Sequence, residues 1–150
     1  MMAFLQRVRS AAVEVEGRRV AAIDQGLMVL LGVEKNDSEA DARRIVDRLL
    51  GYRVFADDSG RMNLSLVDCA GGLLLVPQFT LAADTQKGTR PSFTPAASPE
   101  QGRHLFDLAL VYAQQRHASV VAGVFGAHMQ VHLVNDGPVS FMLRARATPS

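Results

Sequence analysis

The sequence predicts a single α/β domain spanning residues 1–150, with mixed and antiparallel sheet carrying two amphipathic helices on one face. Three observations predict it. Alternating runs at residues 4–9, 13–16 and 128–133 have the two-residue period of half-buried strands. Residues 27–33 and 73–76 are apolar on both faces, as central strands are. Residues 42–50 and 105–112 carry apolar side chains at helical spacing with charges opposite.

Composition sets the bounds. At 150 residues and 48% hydrophobic, the chain is large enough for a proper core. A net charge of +1 gives no general basic field, so any nucleic-acid contact must be local. Apart from Lys35 and Lys87 the basic residues are arginines, the better fork for phosphate. The lone Cys69 excludes an internal disulfide and fits a reducing compartment. Arg7 and Arg9 interrupt the N-terminus before a signal-peptide core develops. Residues 27–33 fall far short of the ~20 apolar residues of a membrane helix. The expectation is a soluble, cytoplasmic protein without membrane contact.

In chain order, residues 16–18 read as a hairpin tip between two strands, because Gly17 breaks the alternation. Residues 36–38 offer N-caps for the first helix, whose stripe is Ala42, Ile45, Val46, Leu49 and Leu50. Residues 53–55 read as a short strand, 57–60 as a turn, and 61–70 as an edge strand from the alternation of Met62, Leu64 and Leu66. Ser98 and Gln101 form a capping-box pattern with Pro99 at the first helical position. The second stripe is Leu105, Leu108, Ala109 and Tyr112, and residues 120–124 with the last two apolar runs complete the sheet.

Two stretches stand out chemically. Residues 77–81 read as a continuation of the strand at 73–76, with polar Gln78 and Thr80 on the face that Leu74 and Val76 occupied. A buried strand turning polar at its C-terminal end is a common place for a site. A long segment without periodicity follows, residues 82–97. Its Lys87 and Arg90 suit phosphate and Phe93 suits stacking on a base, but a solvated loop is the default reading for each. The other stretch is Asn135-Asp136-Gly137-Pro138-Val139-Ser140 between two strand-like runs. It reads as a turn, with Gly137 supplying positive φ. Turn chemistry alone favours a trans Gly137-Pro138 bond, since only about 5–6% of X-Pro bonds in folded proteins are cis.

Taken together, Pro77-Gln78-Phe79-Thr80 and Asn135-Asp136-Gly137-Pro138-Val139-Ser140 resemble the D-aminoacyl-tRNA deacylases. That family carries Ser-Gln-Phe-Thr at a strand end and Asn-x-Gly-Pro-Val-Thr near the C-terminus. Gln6-Arg7-Val8, Leu31-Gly32-Val33, Met62-Asn63-Leu64-Ser65 and Arg90-Pro91-Ser92-Phe93 resemble it in the same order over nearly the whole length. The resemblance implies a three-layer fold and a homodimer with its active site at the subunit interface. It implies hydrolysis of the ester joining a D-amino acid to the 3′-terminal adenosine of tRNA, or glycine, including glycine mischarged on alanine tRNA. It implies a cis Gly137-Pro138 turn that reaches into the second subunit's site, binds the substrate amino group and leaves no room for an L side chain. The amides of Phe79 and Thr80 would hold the scissile carbonyl oxygen with Gln78 nearby. Arg7 would brace the turn and Met129 would line the pocket, although strand alternation makes Met129 an equally good core residue.

An aminoacyl ester is an activated acyl group, so donors aimed at the developing oxyanion supply much of the rate. Thr80 has no His or carboxylate partner by sequence, which favours attack by water or by the ribose hydroxyl over a covalent route. Gly137 lacks a Cβ, so main chain can approach the α-carbon and reject the L enantiomer sterically. Pro77 and Ser140 depart from the family's Ser and Thr, and His128 stands where an acidic residue is expected. No metal or cofactor is expected. His128 and His132 are four residues apart on a strand, about 13 Å, too far for one ion. His104 and His117 lack ligand partners, and Cys69 suits a structural thiol. Two rival readings are a non-catalytic nucleic-acid-binding or interaction module of the same fold, and a general esterase of small acyl substrates. The partners implied are aminoacyl-tRNA and a second copy of the chain, with no DNA.

Overall fold

The computed structural model describes residues 1–146. Its centre is a six-stranded mixed sheet ordered β2-β1-β3-β6-β7, with β8 on the other side of β1. Strand β1 (Met2–Val15) pairs antiparallel with β3 (Gly26–Gly32) through its first half and with β2 (Arg18–Ile23) through its second. Along its whole length it also pairs with β8 (Gln130–Arg144). Strand β6 (Gly72–Pro77) lies parallel to β3 and to β7 (Val120–Ala122). The β1–β2 hairpin turns at Glu16 and Gly17, both at positive φ, where the sequence placed it.

Period-two alternation sorts the strands into two cores. Leu27, Val29, Leu31, Leu73 and Leu75 face helices α1 (Glu39–Gly51) and α3 (Pro99–Arg116), whose Ile45, Leu49, Leu105, Phe106 and Ala109 cover them. Met28, Leu74 and Val76 face the opposite way and pack with Val8, Val13, Ala21 and Ile23. On that side the sheet curls on itself, bringing β2 into contact with β6 and β7. The expected helices therefore lie on one face, and a nearly closed sheet forms the rest.

Local chemistry sets the element ends. Ser38 caps α1 through a complete box with Asp41. Ser98 caps α3, but Gln101 donates to the carbonyls of Lys35 and Asp37 instead of closing its box, tying α3 to the segment before α1. The edge strand expected over 61–70 is a correction: it ends at β5 (Met62–Leu64), paired with β4 (Phe55–Ala56). Ser65 and Asp68 then form a second capping box that starts the short helix α2 (Leu66–Cys69). No helix among the described residues is long and apolar enough to cross a membrane.

Gly26 and Gly72 are paired across β3 and β6 with their backbones in close approach. A Cβ at Gly26 would fall 1.9 Å from the Gly72 carbonyl oxygen. Gly26→Ala should therefore lower the unfolding free energy by at least about 3 kcal/mol, read from the urea midpoint. A wild-type midpoint would contradict this packing.

Candidate active site

Strand β6 ends earlier than its sequence suggests. Pro77 is its last residue, and residues 79–82 form a single 3-10 turn, not further strand. The Gln78 N–H donates to the Leu31 carbonyl at 2.9 Å, the last bond of the parallel ladder. Leu81 N–H then bonds Gln78 O at 3.3 Å and Ala83 N–H bonds Thr80 O at 3.1 Å. Between them the N–H groups of Phe79 and Thr80 have no backbone acceptor among the described residues, as expected for the first donors of a helical turn. The Gln78 side-chain amide donates to the Thr80 hydroxyl. No His or carboxylate hydrogen-bonds that hydroxyl among the described residues, so no nucleophile–base pair forms there.

Gln78 and Phe79 line a cleft of about 360 Å³, with Thr80 next in the chain. Phe79 and Phe93 stand at one side with ring centroids 5.3 Å apart, both exposed. Phe125 and Phe106, with ring centroids 6.4 Å apart, form a second aromatic pair in the lining, and Leu31 and Val33 contribute from β3. Phe125 lies over Gly102 of α3. Its contribution was not legible beforehand, since the only signal was an aromatic residue between Gly123 and Gly126.

The second chemical element lies in β8. Residues 135–138 do not form a hairpin turn, because β8 continues from Gln130 to Arg144 against β1. Asn135 pairs with Val8 and Ser140 with Gln6, so residues 136–139 bulge opposite the single residue Arg7. The bulge switches faces: Val131 and Leu133 pack on one core, Val139 and Leu143 on the other. Within it the Gly137-Pro138 bond is cis and Gly137 has φ +131°. Both residues are exposed. Arg7 donates from Nε to the Asp136 carbonyl at 3.0 Å and from Nη1 to the Val54 carbonyl at 2.6 Å, while the Asp136 carboxylate lies 3.6 Å from Nε. Val54 was not singled out from sequence, because a backbone acceptor leaves no residue-type signal.

Met129 is half-buried. Its sulfur accepts from the Val124 N–H at 3.4 Å, and its side chain packs against the core that contains Val76. A Cβ at Gly123 would be 2.7 Å from that sulfur and 3.5 Å from Pro77 Cδ, so Met129 sits beside the end of β6. Gln78, Phe79 and Thr80 thus form one group, while Arg7, Gly137 and Pro138 form another. By register Gln78 is level with Gly32, Met2 and Arg144, whereas the bulge is level with Arg7. Three strand spacings across and about five residues along separate the two groups by a path along the sheet on the order of 20 Å.

The other residues weighed from sequence are scattered. His132 approaches Glu14 at 3.5 Å, His104 approaches Glu39 at 3.0 Å, and His117 contacts the Gly71 carbonyl. No group of three or more His, Cys, Asp or Glu among the described residues is placed to hold a metal ion. Half-buried Cys69 lies near the Leu66 carbonyl.

Arg7 should matter for stability as well as for the bulge. Arg7→Met leaves two carbonyls without their donor and should cost about 2–4 kcal/mol in urea unfolding. Gln6→Ala, which removes one exposed contact to Ser140, should cost less than about 0.5 kcal/mol. Equal small losses would contradict the bracing role.

The profile of the D-Tyr-tRNA(Tyr) deacylase family matches residues 4–144. A D-aminoacyl-tRNA deacylase of Thioalkalivibrio sulfidiphilus is 61% identical over 95% of this chain and 96% of its own length. One from Pseudomonas putida is 61% identical over 96% of this chain and 99% of its own. Among solved structures, one described as c-Myc DNA Unwinding Element Binding Protein superposes with a TM-score of 0.93. It is 37% identical, over 98% of this chain and 100% of that one. A probable eukaryotic D-amino acid tRNA deacylase superposes at 0.82 with 18% identity, over 95% and 97% of the two chains, and shares the fold.

Proposed function

The chain belongs to the D-Tyr-tRNA(Tyr) deacylase family and is a hydrolase of the ester bond in D-aminoacyl-tRNA; from that premise we propose that its site is completed between two copies of the chain. The observation that supports this reading is the separation of the two groups by a path along the sheet on the order of 20 Å. An aminoacyl ester spans only a few ångströms, so the Gly137-Pro138 turn of one chain cannot reach a substrate held by that chain's own Phe79 and Thr80 amides. In a two-fold homodimer each turn enters the other subunit's cleft. Among the described residues no other strand pairs with the outer edge of β8, which carries exposed Val134, Phe141 and Met142, a surface suited to burial.

In this arrangement the terminal adenosine and its ester occupy the cleft beside Phe79. The N–H groups of Phe79 and Thr80 hold the carbonyl oxygen as it gains negative charge, and they are pre-aligned by the 3-10 turn. Gln78 orients the Thr80 hydroxyl. Water, or water assisted by the neighbouring ribose hydroxyl, attacks the carbonyl carbon, and the ribose oxygen leaves with a proton. The carbonyls of the second subunit's Gly137 and Pro138 accept from the substrate ammonium. An L side chain would project into that turn, so selection is steric exclusion by main chain. Glycine, lacking a side chain, is not excluded by this device. Met129 supports the floor near Pro77, where a hydroxyl found in the family is absent. The working compartment is the cytoplasm, where charged tRNA is used.

The decisive assay compares D-tyrosyl-tRNA and L-tyrosyl-tRNA with EDTA present. The D ester should be lost at least about a hundredfold faster. Loss of both would refute main-chain selection, and tRNA binding without turnover of either would favour a binding module. Phe79→Pro removes one oxyanion donor and should lower kcat about 10²–10³-fold. Phe79→Ala keeps that N–H, so it should be distinctly milder in the same single-turnover assay. A Cβ at Gly137 would lie 2.8 Å from Val139 Cγ2 and 3.2 Å from Arg7 Nη2 on a backbone at φ +131°. Displacing the turn by ~1 Å should reduce kcat/KM of Gly137→Ala about a hundredfold.

A further inference from the structure

Residues 84–92 have an order that a plain surface loop would not need. Asp84 N–H donates to Ser92 O at 2.7 Å and Ser92 N–H donates back to Asp84 O at 2.9 Å, closing an antiparallel bridge. Gly88 at φ +65° turns the tip, which carries Lys87 and Arg90, both exposed. The exposed Asp84 carboxylate accepts from the Gln86 N–H at 3.0 Å within the same hairpin. The base of the hairpin is anchored where Phe93 meets Phe79, one wall of the cleft.

The second aromatic pair carries a matching cation. The Arg103 guanidinium lies 4.8 Å over the Phe125 ring, a stacked pose that leaves its N–H edges free to donate. The arginines engaged with carboxylates among the described residues are Arg7, Arg43, Arg116, Arg144 and Arg146. Lys87, Arg90 and Arg103 have no such partner among the described residues. One cation thus stacks on an aromatic residue of the cleft and two more lie on the hairpin that leads into Phe93, on a chain with a net charge of only +1. Aromatic residues beside cations suit a single nucleic-acid strand, with bases against the rings and phosphates against the charges.

We propose that Lys87, Arg90 and Arg103 clamp the phosphodiester chain of the unpaired 3′ strand of tRNA, immediately before the adenosine that enters the cleft. This rests on the deacylase reading of that cleft and adds the residues that would read the strand's backbone. Arg103 also holds Phe125 in place, so one residue would shape the wall and meet a phosphate. Its position at the start of α3, where the helix end favours anions, adds to the same field.

The test uses uncharged tRNA, so binding is read apart from turnover. Affinities would be measured at several salt concentrations for the full chain, for K87A/R90A, for R103A and for R103K. Each would be tested with intact tRNA and with tRNA trimmed of its 3′ CCA. K87A/R90A should weaken binding of intact tRNA about tenfold and flatten its log–log salt dependence by roughly one to one and a half. R103A should weaken it similarly, with R103K recovering part of the loss, and trimmed tRNA should bind wild type and variants alike. Variants that bind intact tRNA as wild type does, or that lose equally on trimmed tRNA, would overturn the clamp. The predicted binding pattern without D-aminoacyl turnover would leave the clamp standing and refute the deacylase reading instead.

Discussion

Arg7 joins two segments that the fold otherwise leaves apart, donating to the Val54 carbonyl after α1 and to the Asp136 carbonyl in the β8 bulge. Everything distinctive about β8 depends on that bridge. Four residues must be accommodated opposite one, and a charged donor at the point of mismatch gives the bulge a fixed anchor. The same mismatch turns the second half of β8 over, so Val139 and Leu143 reach the helix-side core. Packing on both sides of the bulge then holds the exposed Gly137-Pro138 turn in one conformation. In the proposed recognition role that rigidity is required, because main chain has no side chain to adjust.

The other half of the site is built by stopping a strand. β3 and β6 are buried on both faces and held in tight parallel register, from Gly26 against Gly72 to Leu31 against Pro77. After Pro77 the chain leaves the ladder, and the 3-10 turn leaves the Phe79 and Thr80 amides without backbone acceptors among the described residues. A proline at this last ladder position supplies no N–H toward β7, whose pairing with β6 already ends at Leu75 and Ala122. The chain beyond β7 is thereby free to carry Phe125 across α3 and into the cleft's lining. Strand termination thus yields the exposed donors and the cavity beside them.

Much of this was legible in the residues. The central strands, both long helices, the Ser98 cap and the Glu16–Gly17 turn follow from periodicity and local hydrogen-bonding chemistry. Gln78, Phe79, Thr80, Gly137 and Pro138 are proposed as site residues because two short motifs stand together at family spacing. Three features were not legible, each for a physical reason. Apolar alternation at Met62, Leu64 and Leu66 mimics a strand, but Ser65 and Asp68 cap a helix within it. Asp136-Gly137 flanked by apolar runs has hairpin composition, yet long-range pairing to β1 carries the strand through. Gln78 and Thr80 keep the alternation of β6 although the backbone has already turned, because periodicity records side chains and not hydrogen bonds.

The central claim is that the amides and the turn acting on one substrate come from different chains, and subunit mixing tests it most directly. Phe79→Pro impairs the amide cradle and Gly137→Ala impairs the turn. A mixed dimer of the two contains one site with an intact cradle and an intact turn. Equal mixing after reversible dissociation should therefore restore about a quarter of wild-type D-tyrosyl-tRNA turnover, from half the dimers with one good site each. Mixtures that stay as inactive as the separate variants, while mixed dimers form, would contradict a shared site.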